Sequence, residues 1–251
     1  HVLLAFFITK WGLSSFSGVF IAMILAVAAG VLGGSLNGLL ISYLKMAPFI
    51  ATLAVTTMAR GAAFMLTGGS PIRLPIDKVT DAGSVALVDF GQYGDPLIGL
   101  PRAVWLVGVV TVLFWFIMKY TSLGRLLIAS GSNETALRLS GVSASRYKFI
   151  SYAISGMMAA LGAILLSARA GISTPAAGSG NELTAIAACV IGGASLSGGK
   201  GKITNTVVGV LIMALIGNIM NLLSIAAYPQ QVIQGVIIIL AVVLNSLDTK
   251  P

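Results

Sequence analysis

Residues 19–44 read VFIAMILAVAAGVLGGSLNGLLISYL, with no Asp, Glu, Lys or Arg among them. A helix that crosses a bilayer needs about 20 consecutive apolar residues, and this stretch exceeds that length. Gly30, Gly34 and Gly38 recur every four residues along it, which leaves one helix face bare enough for another helix to approach closely. Asn37 lies on the same turn, so the face reads either as packing or as the lining of a pore.

The rest of the chain repeats the pattern. Of 251 residues, 57% are hydrophobic and 9% charged, against about 25% charged in an ordinary soluble domain. A water-soluble enzyme is excluded. Further apolar runs fall at residues 49–67, 103–120, 149–167, 203–223 and 230–247. Residues 183–194 are apolar but too short to span, as re-entrant or broken segments are. The sequence therefore predicts an all-α, polytopic transmembrane bundle of six to seven helical segments forming one membrane domain over residues 1–251. Residues 1–9 are apolar with no basic region ahead of them, unlike a signal peptide, and read as the tail of a longer helix.

Two polar stretches interrupt the spans. Residues 68–101 hold Asp77, Asp81, Asp89 and Asp95 against Arg73 and Lys78, four acids and two bases for a net −2. Residues 121–147 hold Arg125, Glu134, Arg138 and Arg146 and are flanked by Lys119 and Lys148. Threading from a cytoplasmic 121–147 loop puts these basic residues on one side with Lys45, Lys200, Lys202 and Lys250. Lys10, Arg73, Lys78, Arg102 and Arg169 fall on the other, and Arg60 lies inside a span. The excess of basic residues on the loop's side obeys the positive-inside rule and places the acidic loop outside. The net charge of +8 is then a membrane-orientation signal, and no nucleic-acid partner is expected. Asn37 precedes Pro48 by the same interval as Asn218 precedes Pro229, in helices threaded in opposite directions, as an inverted repeat requires; chance produces the same interval.

Few residues could carry chemistry. The one cysteine, Cys189, allows no disulfide within the chain, and the one histidine, His1, gives no His-based metal site or base. The run Leu196, Ser197, Gly198, Gly199, Lys200 looks like an ATPase signature loop. The nearest phosphate loop, residues 193–201, has one residue too many before Gly199–Lys200, and Gly201 stands where Ser or Thr must reach magnesium. The stretch 192–202 reads instead as a flexible turn at the membrane surface. No acidic residue lies in the middle of a span, so the carboxylate relay of a proton-coupled carrier is missing. Candidate pathway residues are Asn37, Thr52, Arg60, Glu182, Asn218 and Asn221. Arg60 is the only base well inside a span, Glu182 also complements a helix dipole, and the amides of Asn218, Asn221 and Gln234 suit a neutral polyol or interhelical hydrogen bonds.

The loop at residues 131–141 carries the clearest local signal. Ser132 or Asn133 can cap a helix, Glu134 lies in its first turn, Arg138 four residues on, and Gly141 ends it. Two turns of helix do not persist alone in water, so Ala136, Leu137 and Leu139 must dock, on the bundle itself or on a cytoplasmic partner.

Gly131, Asn133, Glu134, Ala136, Leu139, Ser140 and Gly141, followed by Glu182, Ala185, Ile186 and the run 191–201, resemble the permease subunits of ribose-type ABC sugar importers. Residues 49–71, with Thr52, Leu53, Arg60, Gly61 and the 67–71 turn, match as well. The resemblance implies a multi-pass protein of the bacterial inner membrane with no catalytic residues, metal or cofactor of its own. It pairs with a second permease, identical or similar, and with a cytoplasmic ATPase that binds ATP and magnesium, and receives a neutral monosaccharide from a periplasmic binding protein. It implies that residues 131–141, Arg138 included, form the coupling element inside an ATPase cleft, within a cytoplasmic coupling loop at 121–147 opposite a periplasmic loop at 68–101. Family members carry further N-terminal membrane helices ahead of the position matching His1, and without them the glycine ladder is expected to face lipid. A secondary carrier or channel for small neutral solutes is the competing function, and a membrane enzyme ranks third.

Overall fold

The computed structural model describes residues 1–77, 79–94 and 99–248, with only the backbone of Ala227 and residues 244–248. Lys78, Asp95 and Lys250 lie outside the described residues. Within them there are eleven helices and one two-stranded sheet. Five helices are long and apolar enough to cross a membrane: α2 (Phe16–Ser42), α3 (Pro48–Thr67), α5 (Arg102–Tyr120), α8 (Ala144–Ala170) and α10 (Ile203–Leu222). Two shorter apolar stretches, α9 (Asn181–Ile191) and the described part of α11 (Ala227–Asp248), complete the seven apolar segments read from the sequence. Hydrocarbon offers no partner for a free N–H or C=O, so each segment closes its hydrogen bonds internally as a helix.

Four additional helices raise the count above six or seven: α1 (Val2–Lys10), α4 (Ala82–Gln92), α6 (Ser122–Ser132) and α7 (Glu134–Leu139). α4 lies within the stretch read as polar loop. Its buried residues are Gly83, Ser84, Leu87, Val88 and Gly91, a stripe at helical spacing that the surrounding aspartates mask in composition.

The chain divides into two compact units. The first comprises residues 1–110 and 145–177. Its core joins Leu4, Ala5 and Ile8 of α1 to Val19, Ala22 and Ala26 of α2, Leu87 and Val88 of α4, and Ile164 and Ala168 of α8. β1 (Ile72–Arg73) pairs antiparallel with β2 (Ile172–Ser173), with Ile72 opposite Ser173 and Arg73 opposite Ile172.

The glycine ladder forms a close helix contact within this unit, and it corrects the expectation that the ladder faces lipid. A Cβ on Gly34 would run into the Tyr152 carbonyl of α8 and approach Gly156 Cα at 3.0 Å. One on Gly30 would lie 2.6 Å from both Gly156 O and Ala160 Cβ, and one on Gly38 3.0 Å from the Phe149 ring. α8 presents Gly156 and Ala160 at the same four-residue spacing, so the two helices meet backbone to backbone.

The second unit comprises residues 111–144 and 178–251. Ala187 and Ala188 of α9 pack with Met213 of α10 and with Ile216, Ile237 and Ile238. A Cβ on Gly209 would strike Ala188 O, so here again a glycine sets the helix separation.

The connections α2–α3 and α10–α11 each contain a non-glycine residue in the left-handed region, Lys45 at φ 54° and Ser224 at φ 55°. Each is followed by a proline in the first turn of the next helix, Pro48 or Pro229. Lys45 precedes Pro48 by three residues and Ser224 precedes Pro229 by five, so the shared Asn-to-Pro interval does not place the left-handed residue at an equivalent position.

Substituting Gly34 by Val should cost about 2 kcal/mol, the scale of overpacking a close contact, and lower the melting temperature in detergent. Gly33→Val, where no atom lies within 4 Å of an added Cβ, should melt near the parent value.

Candidate functional site

The polar stretch after α5 is built as a bracket. Lys119 sits 4.9 Å over the Trp115 ring and 5.2 Å from that of Tyr120, an aromatic and basic cluster of the kind that anchors helix ends at a membrane interface. Thr121 then reverses the chain: its hydroxyl donates to Ile117 O at 2.7 Å and accepts from Gly124 N at 3.3 Å. Gly124 is buried there because a Cβ would meet the Met118 backbone at 2.5 Å. From this bend runs α6, whose last residue, Ser132, is followed by the cap of α7.

α7 forms as the sequence predicts. Of the two candidate caps Asn133 is used: its Oδ1 accepts from Ala136 N at 2.9 Å, satisfying one of the free amides of the first turn. Glu134 lies in the first turn and Arg138 in the last, each at the end its charge favours. At the other end Val142 N donates to Leu137 O at 3.2 Å and Gly141 N to Arg138 O at 3.0 Å, with Gly141 at φ +79°. This paired closure requires a left-handed residue, which glycine adopts without strain.

The apolar residues of α7 divide. Leu137 is buried, whereas Leu139 is 82% exposed and Ala136 is exposed beside it. The helix is thus fixed on one side and presents an apolar side chain on the other.

One partner of this bracket was not legible in the motif. Ser132 Oγ donates to Gly199 O at 3.3 Å, and Gly131 lies against Gly198 and Gly199. The glycine-rich turn that looked like an exposed flexible connection is packed on the end of α6. The signal was the crowding of glycines at 131 and at 198–199, each reading as loop or helix-breaker when taken alone.

The pathway candidates are distributed differently. In the first unit, Asn37 on α2 is half-buried and its Oδ1 is buried with no hydrogen-bond partner among the described residues. Thr52 donates within its own helix, to Pro48 O at 2.9 Å and Phe49 O at 3.2 Å, and Arg60 is half-buried on α3. A cavity of about 830 Å³ in this unit is lined by apolar side chains such as Phe20, Met23, Phe90 and Leu165, and none of the three candidates lines it. In the second unit, Glu182 is exposed in the first turn of α9 and Asn218 is exposed on α10. Asn221 Oδ1 accepts from Gln230 Nε2 at 2.9 Å, which ties the end of α10 to the start of α11. The interhelical role open to that asparagine is the one seen.

Residues 1–242 match the family described as the permease component of the branched-chain amino acid transport system. The chain belongs to that family. This permease is 38% identical over 228 residues to the ribose import permease RbsC of Escherichia coli K12, covering 90% of this chain and 68% of that protein. It is 39% identical over 210 residues to the Bacillus subtilis RbsC (83% and 62%) and 36% identical over 214 residues to the E. coli L-arabinose permease AraH (85% and 62%). The permease thus spans about two thirds of the length of these relatives, and no solved structure matches it. It is a multi-pass membrane transport subunit and not an enzyme.

Replacing Asn133 by Ala should release about 1 kcal/mol of cap stabilisation. Amide hydrogen exchange across residues 134–139 should quicken by about five-fold, while Asn133→Asp, which keeps an acceptor, should exchange at the parent rate.

Proposed function

We propose that this permease forms the membrane pathway of an ATP-driven importer for a neutral monosaccharide, a pentose such as ribose or arabinose, in the bacterial inner membrane. The relatives' names support a sugar over the amino acid of the family's description, because the chain is similar to ribose and arabinose permeases over more than four fifths of its length. The observation that carries the coupling role is α7, a helix capped at both ends and held by Leu137, with Leu139 presented to a partner.

In this reading residues 121–147 face the cytoplasm and residues 68–101 the periplasm. A cytoplasmic ATPase binds ATP and magnesium and receives residues 131–141 in a cleft, where Leu139 supplies apolar contact and Glu134 and Arg138 supply orientation. A second permease completes the pathway, and a periplasmic binding protein delivers the sugar. When ATP draws the ATPase halves together, α7 moves with them and the bundle changes its access from one side to the other. Asn37, Thr52, Arg60, Glu182 and Asn218 are the polar groups available to the sugar. A route with so few of them binds weakly, which favours release over retention and leaves selection to the binding protein.

The test is uptake into vesicles. With the ATPase and binding protein present, radiolabelled ribose or arabinose should accumulate only with ATP; uptake persisting without the ATPase subunit would show a carrier or channel instead. Leu139→Asp should reduce the ATPase retained on the purified permease by about ten-fold, the loss of about 1.4 kcal/mol at an interface anchor. Membrane insertion should be unchanged, since the side chain is exposed.

A further inference from the structure

We infer that the turn at residues 195–201 is the seat that positions the coupling helix and relays its displacement to α9 and α10. This rests on the coupling role proposed above for residues 131–141. The turn is a closed ring. Ser195 N donates to Lys200 O at 3.0 Å, Gly198 N to Ser195 O at 3.1 Å, and Ser197 N to Ser195 Oγ at 3.2 Å. Gly198 at φ 88° and Gly199 at φ 74° occupy the left-handed region that side-chain-bearing residues rarely adopt.

The end of α6 lies on this ring with only the small Ser132 side chain at the contact. A Cβ on Gly131 would sit 2.7 Å from Gly199 N, one on Gly198 3.0 Å from Gly131 O, and one on Gly199 2.6 Å from Ser132 Cα. The Ser132 hydroxyl adds its bond to Gly199 O. Asn133, the next residue, is the cap from which α7 starts. On its other side the ring continues into α9, with Gly193 N bonded to Val190 O at 2.8 Å and Ala194 N to Cys189 O at 3.0 Å. α9 is held to α10 where a Cβ on Gly192 would lie 2.6 Å from Asn205 O and one on Gly209 would strike Ala188 O.

From α7 to α10 the connection therefore runs backbone on backbone. Flexible side chains absorb a displacement by changing rotamer, whereas closely packed backbone transmits it. Gly131 also sits in a helix, where glycine is the poorest former after proline. The close contact with Gly199 accounts for that unfavourable choice.

The test uses the whole transporter, permease with its ATPase, in lipid vesicles. Cys189→Ser removes the native thiol, and a single spin label is placed at Ser143→Cys, an exposed position just after α7, or at Asn181→Cys at the start of α9. In this parent protein ATP with vanadate should shift both spectra. In Gly131→Ala, which improves helix propensity but pushes the turn away, the label at position 143 should still respond while the response at position 181 falls about five-fold. Ser132→Ala, which removes only the hydroxyl, should act in the same direction and decides the matter where Gly131→Ala fails to insert. Gly162→Ala on α8, away from the turn, meets no neighbouring atom within 4 Å of the added Cβ and should leave both responses intact. An unchanged response at position 181 in Gly131→Ala overturns the relay. Loss of both responses in that variant also overturns it, by making the contact part of ATPase docking. A label at position 143 that is silent in the parent protein overturns the coupling role on which the relay rests.

Discussion

Backbone laid directly on backbone at glycine is the contact on which this permease depends. Lipid tails are as apolar as leucine, so burying leucine between helices gains little in a membrane, and association must come from close packing and interhelical hydrogen bonds. The exposed apolar side chains are consistent with this: α5 buries no residue among those described, yet it is as apolar as its neighbours. Where helix backbones meet, the buried residues are small. Gly34 and Gly38 on α2, Ala187 and Ala188 on α9, and Gly209 on α10 are buried positions where helices touch. Removing a side chain at these positions is what brings the two backbones within van der Waals reach.

The same constraint explains what was legible in the sequence. Spans were readable because bilayer thickness sets their length, and residues 19–44, 49–67 and 203–223 became helices within a few residues of those limits. α7 was readable because capping is local: Asn133 and Gly141 act on backbone atoms within five residues of themselves. α4 and α6 were not readable. α4 has a helical burial stripe surrounded by aspartates, and α6 has only eleven residues between a threonine reversal and a capped neighbour. The seat of α6 on residues 198–199 was hidden because a contact across 67 residues of chain leaves no periodicity to detect. The pathway candidates were least legible, since an asparagine that binds a sugar and one that ties two helices look alike. Asn221 is now seen bonded to Gln230, while Asn37 keeps a buried oxygen without a partner among the described residues.

The division of α7 into a buried and an exposed apolar residue separates two demands that the proposed coupling role would place on one helix. A helix of six residues has too few internal hydrogen bonds to persist on propensity, so it needs its caps and the burial of Leu137 to exist at all. If Leu139 were buried as well, the helix would be a rigid corner of its own bundle with nothing to offer a partner. Holding one side chain and presenting the other keeps the helix folded before any partner arrives, which reduces the ordering cost of binding.

α9 sharpens the physical problem of a half-length helix in a membrane protein. Eleven residues rise about 16 Å, roughly half of a hydrocarbon core of about 30 Å, so if α9 lies across the bilayer one of its ends stops at membrane depth. Its start has no side-chain cap, and the chain enters it through Gly178 at φ 79° and Gly180 at φ 86°, with Asn181 N bonded to Gly178 O at 3.1 Å and Leu183 N to Gly180 O at 3.2 Å. The backbone thus satisfies part of its own demand by tight turns. Glu182, exposed in that first turn, adds a negative charge where the helix dipole is positive. An irregular, polar helix start is tolerated at membrane depth only beside protein or water, so in that placement the opening of α9 would face protein or water rather than lipid. The other end of α9 is the one packed on α10 and on the glycine turn, where a Cβ on Gly192 would lie 2.6 Å from Asn205 O.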